Sequence, residues 1–73
     1  MKVYKSPRCA PQHALLILEI EGDANEFQFT KEDFITLKKQ GLFYKGARYK
    51  SCWFNNGFIN STVLNYSYKV SND

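Results

Sequence analysis

The sequence predicts a small α+β domain: an antiparallel sheet of two β-hairpins, about 13–29 and 47–70, with one helix, about 31–40, packed on one face. Three observations predict it. His13–Glu21 (HALLILEIE) is a β-type apolar run, Thr30–Gly41 carries the start and stop signals of a single helix, and Asn56-Gly57 is a hairpin turn signal. At 73 residues the chain is one domain, 1–73. A domain of this size buries only about 60% of its unfolded surface. Its twelve aromatic residues suit a core that must gain much from few side chains.

The first strand is apolar on both faces in its N-terminal half. It then alternates, with Leu16, Leu18 and Ile20 on one side and Leu15, Ile17, Glu19 and Glu21 on the other. That pattern predicts a strand central at one end and half exposed at the other. Gly22–Asn25 supplies turn residues and Glu26–Phe29 alternates again, closing the first expected hairpin. Ahead of it, residues 1–12, with Pro7 and Pro11 and three cations, read as a basic, partly ordered arm in which at most Lys2–Lys5 forms an edge strand.

In the helix, Thr30 is the cap, Glu32 and Asp33 lie where the dipole favours acids, and Phe29 is spaced to staple onto Phe34. Phe34, Leu37 and Ile35 are expected against the sheet. Lys38 and Lys39 complement the C-terminal dipole and Gly41 ends the helix. A two-residue Asn56-Gly57 loop pairs Asn55 with Phe58 and fixes the rest of the second hairpin. Ala47, Tyr49, Ser51 and Trp53, with their partners Tyr66, Leu64, Thr62 and Asn60, share one face, expected beneath the helix. Arg48, Lys50, Cys52, Phe54, Ile59, Ser61, Val63, Asn65, Ser67 and Lys69 share the other, expected outside.

The formal net charge of +3 conceals an asymmetry. Six of seven acids lie between 19 and 33, whereas 34–72 holds six cations and no acid. Such a dipolar chain orients a charged partner. The longest apolar run, Ala14–Leu18, is far short of the roughly 20 residues that span a bilayer, and no secretory signal is evident, so a cytoplasmic protein with no membrane association is expected.

Chemistry is sparsely provided. Cys9, His13 and Cys52 fall short of a four-ligand metal set, and one histidine leaves only His13 with Cys9 or Cys52 and an acid from 19–33, an arrangement nothing in the spacing favours. No glycine-rich phosphate loop is present. The expectation is a non-enzymatic binding module without metal or cofactor, whose composition suits a bacterial or phage accessory protein. It would dock on and modulate or inhibit a larger protein or complex, with Arg48, Lys50 and Lys69 for charge complementarity and Phe54, Phe58 and Ile59 as apolar contacts. The alternative is nucleic-acid binding through Lys38, Lys39, Lys45, Arg48 and Lys50, with Tyr44 and Phe43 as stacking residues. Edge strands also offer a route to homo-oligomers.

Overall fold

The computed structural model describes residues 1–62 and 65–73. It is an α+β fold in which strands β1 (Lys2–Pro7), β2 (Leu15–Glu19), β3 (Cys52–Asn55), β4 (Phe58–Ser61) and β5 (Tyr66–Ser71) form one antiparallel sheet, ordered β2-β1-β5-β4-β3. Among the described residues one helix, α1 (Lys31–Lys39), and two short 3-10 turns, Ala24–Glu26 and Tyr49–Ser51, complete it.

The helix forms as its sequence dictates. Thr30 and Asp33 make a reciprocal capping box, the Thr30 Oγ1 accepting from the Asp33 backbone N–H and the Asp33 carboxylate from that of Thr30. The Phe29 and Phe34 rings meet edge-on at 6.3 Å. At the other end Gly41 adopts φ 88°, and the N–H groups of Leu42 and Gly41 donate to the carbonyls of Leu37 and Lys38. That is the Schellman pattern, which brings Leu42 back into the core. Phe34 and Leu37 face the sheet; Ile35, expected there too, is exposed.

The N-terminal segment departs from expectation. It is no arm: β1 pairs with β2 on one side and β5 on the other, and Val3 and Ser6 are buried. Proline is tolerated because Pro7 comes last in the strand. β1 therefore takes the place expected for Glu26–Phe29 as partner of β2. Asp23 caps the 3-10 turn instead, accepting from the Asn25 N–H, and Phe27 and Phe29 pack on the core from outside the sheet. β2 itself is an edge strand, with a bulge where its register to Val3 and Tyr4 shifts.

The second hairpin holds its expected register from Asn55↔Phe58 to Cys52↔Ser61, and the Thr62 N–H still donates to the Ser51 carbonyl. Asn56 and Gly57 take φ 52° and 83°. Beyond this the expected long ladder gives way. Tyr49–Ser51 coils into a 3-10 turn, and the second strand is two strands, β4 and β5, paired with each other. The expected partners of Tyr49 and Lys50, at 64 and 63, lie outside the described residues.

The reversal at β4–β5 also inverts the faces. Ile59 is opposite both Phe54 and Tyr68, and Val70 is opposite Val3, so these form a continuous apolar surface under α1. Ile59 is 0% exposed. Covering the other face would have placed Asn60 and the exposed Lys69 under the helix instead, at the cost of desolvating polar groups. Trp53 is consequently 41% exposed. Tyr49, from its 3-10 turn, still packs on Phe29 and Phe34 and donates its hydroxyl to the Phe29 carbonyl.

Candidate docking surfaces

The residues expected to dock on a partner do not form one surface. Ile59 is the centre of the core, and Phe54 is half-buried against Phe27, ring centroids 5.2 Å apart. Neither presents its side chain as a free apolar contact. Phe58 and Lys69 are opposite one another on the sheet face away from α1, Phe58 half-buried and Lys69 exposed. Arg48 and Lys50 are exposed at the 3-10 turn before β3.

The residues of the alternative set stay closer together. Lys38 donates to the Ala47 carbonyl at 2.7 Å and lies 5.8 Å from the Phe34 ring, tying the segment after α1 back against the helix. Phe43 is buried, stacked on Phe34 at 5.0 Å, so it offers no ring to a base. Lys39, Tyr44, Lys45, Arg48 and Lys50 are exposed.

The charge asymmetry of the sequence persists in space. Along one flank of α1 runs an open cleft of about 580 Å³ whose carboxylates are Glu21, Asp23, Glu26 and Asp33. The segment carrying Lys45 and Arg48 is tied to the helix through Lys38, away from that cleft. Two of the four carboxylates are occupied: Asp33 in the capping box, and Asp23 by the Asn72 side chain and the Asn25 N–H, which hold its carboxyl below the ordinary range.

Among the described residues no group of three or more His, Cys, Asp or Glu side chains converges as metal ligands, and no helix is long and apolar enough to cross a membrane. Both cysteines are free thiols, Cys9 exposed and Cys52 half-buried with its Sγ 3.4 Å from the Arg48 carbonyl oxygen. Burial pushes the Cys52 pKa up.

The surface that sequence reasoning missed is on β2. Leu15, Leu16 and Ile17 are 72%, 47% and 42% exposed, three consecutive large apolar side chains on an edge strand. A regular strand would turn every second one inward. Here Leu15, opposite Lys5, and Leu16, opposite Tyr4, still alternate, the bulge falling between Leu16 and Leu18; all three stay exposed because this edge strand is open on both of its sides. The signal in the sequence was the run apolar on both faces, which suits a central strand equally well.

Comparison with protein families, curated proteins and solved structures finds no match to this chain.

Proposed function

We propose that this protein is a non-enzymatic binding module that docks on a larger protein and modulates it, with Leu15, Leu16 and Ile17 as the apolar anchor. The observation that carries this reading is the exposure of all three on an edge strand. Natural sheets guard their edges against such display. Full burial of a Leu or Ile contributes about 1.5–3 kcal/mol, so a partner that wraps the edge and covers all three at their present exposure gains roughly 2–5 kcal/mol, the scale of a binding hot spot. The bulge in its pairing with β1 bends β2, so docking proceeds through side chains more than through strand addition. Arg48 and Lys50 lie elsewhere on the surface, Lys69 two strands from Leu16 in the same row, and all three serve to orient the approach of an acidic partner.

The test is photo-crosslinking. A benzophenone side chain replaces Leu16 in one variant and Ile35 in another, the latter an exposed apolar residue on α1. The protein is irradiated in extract of its native cell, with and without nuclease treatment. A discrete protein adduct at Leu16 and none at Ile35 is the expected result. Equal labelling at both sites, an adduct only with a second copy of the chain, or loss of all adducts on nuclease treatment would each overturn the reading.

A further inference from the structure

The sheet has a second face, the one α1 does not cover, whose composition neither the core nor the β2 patch explains. Register fixes its rows. Val3 faces the core, so Tyr4 points the other way, together with Leu16 on β2 and Lys69 on β5. Lys69 is opposite Phe58, and Phe58 is opposite Asn55. In the next row Trp53 is opposite Asn60, whose Oδ1 accepts from the Ser67 hydroxyl at 2.8 Å. Three rings, Tyr4, Phe58 and Trp53, thus share a face with an exposed ammonium between two of them.

These rings do not make an apolar patch of the kind formed by Leu15–Ile17. Lys69 and Asn60 separate them. A protein partner would have to match each ring individually and desolvate the Lys69 ammonium between. A chain of bases linked by phosphates supplies that alternation unasked. We infer that this face binds single-stranded nucleic acid, with Tyr4, Phe58 and Trp53 as stacking platforms and Lys69 as the phosphate contact. The inference stands independently of the β2 docking site.

The spacing fits. Neighbouring strands lie about 4.8 Å apart, so Tyr4 and Phe58, two strands removed, are separated by roughly 10 Å with Lys69 midway. Two bases can stack on the outer rings while the phosphate between them meets the ammonium. The Tyr4 hydroxyl donates to a backbone oxygen of Asp73, which holds that ring in place. Beside Phe58 a cleft of about 330 Å³ opens toward Pro11, with the carboxamides of Asn55 and Asn60 on its rim. It has room for one base, and the Asn55 carboxamide can donate to and accept from a base edge, that of Asn60 being engaged by the Ser67 hydroxyl and the Phe58 carbonyl. Of the acids near this row, Asp73 meets the Tyr4 hydroxyl through its backbone oxygen, and Glu19, on the same face, has the Lys2 ammonium at 4.0 Å.

Trp53 is the only tryptophan, so its fluorescence reports on this face alone. The intact protein is titrated at low salt with a short oligothymidylate, a short oligouridylate and a duplex of matching length. The expected result is saturable quenching by at least one single strand, weaker binding of the duplex, and a log–log salt slope near −1, as one or two phosphate contacts give. Lys69→Glu should weaken binding about tenfold, as should Trp53→Leu, read from the anisotropy of a labelled oligonucleotide, whereas Trp53→Phe should retain it. A double variant, Lys45→Glu with Arg48→Glu, should quench as the parent does. Absence of saturable quenching by either single strand, equal affinity for duplex, or an unchanged Lys69→Glu would overturn the inference. So would loss of binding in the double variant, which would assign nucleic acid to the 38–50 segment.

Discussion

Ile59 offers the sharpest test of how the second hairpin faces, because the two orientations give it opposite roles. In the structure it is 0% exposed and opposite both Phe54 and Tyr68. Removing one methylene with Ile59→Val should cost about 0.5–1.5 kcal/mol. In a domain of this size each kcal/mol is worth roughly 4–8 °C in Tm, so the variant should melt several degrees below the parent. Ile59→Ala should cost about 2–5 kcal/mol, comparable to everything a core this small supplies, and should leave much of the chain unfolded at room temperature. Leu16→Val is the control; at a surface position its effect should stay within about 0.5 kcal/mol. Thermal and urea unfolding followed by far-ultraviolet circular dichroism measure all three. Were Ile59→Val to melt with the parent, or Leu16→Val to fall as far as Ile59→Val, the inward assignment of Ile59 would be refuted.

Thr30→Ala removes the acceptor for the Asp33 N–H and should lower stability by about 1 kcal/mol in urea titration, with Thr30→Ser close to neutral. Gly57→Ala meets no close atom, the nearest being the Val70 carbonyl oxygen at 3.8 Å from the added Cβ, so its cost should be the left-handed strain alone, about 1–2 kcal/mol, with an unchanged m-value. Burial raises the pKa of both Cys52 and Tyr68 from their ordinary 9.0 and 10.0. The unfolded chain therefore releases these protons first, and the stability they contribute is full below about pH 9 and lost as pH rises through the elevated folded values. Cys52→Ala should flatten the decline of Tm above pH 9; a decline as steep as the parent's would count against a role for the thiol.

What was legible in the sequence was local. The capping box, the Phe29–Phe34 staple, the Gly41 stop and the Asn56-Gly57 register all rest on groups within a few residues of one another, and each is in place. What was not legible depends on distant partners. Lys2–Pro7 looks like a loose arm until β5 and β2 are known to flank it. Tyr66–Ser71 looks like a continuation of β4 until the chain reverses, and that reversal decides which face goes under the helix. Once β5 brings Tyr68 and Val70 beside Ile59 and Val3, the face with more apolar surface wins, and Trp53 is left outside. The candidate sites followed the same division. The cations of 38–50 could be named from sequence, but Phe43, Phe54 and Ile59 could be assigned to core or surface only with the faces fixed.

The two proposed surfaces meet along one row of the sheet. Leu16 is opposite Tyr4, and Tyr4 is opposite Lys69, so the apolar anchor on β2 stands one strand, about 5 Å, from the first stacking ring. Two ligands bound that close share desolvated surface, and their affinities must be coupled. If a partner protein seated on Leu15–Ile17 stops short of Tyr4, it walls one side of the nucleic-acid face and excludes water from it, and the coupling is favourable. If it reaches over Tyr4, it takes away a platform and the coupling is unfavourable. Linkage requires the factor to be the same measured from either side. The nucleic-acid affinity measured with and without partner must therefore change by the same ratio as the partner affinity measured with and without oligonucleotide. Tyr4→Leu, which removes the shared ring but leaves Leu16, should bring that ratio toward one. A ratio unmoved by Tyr4→Leu would mean that the coupling does not pass through this row.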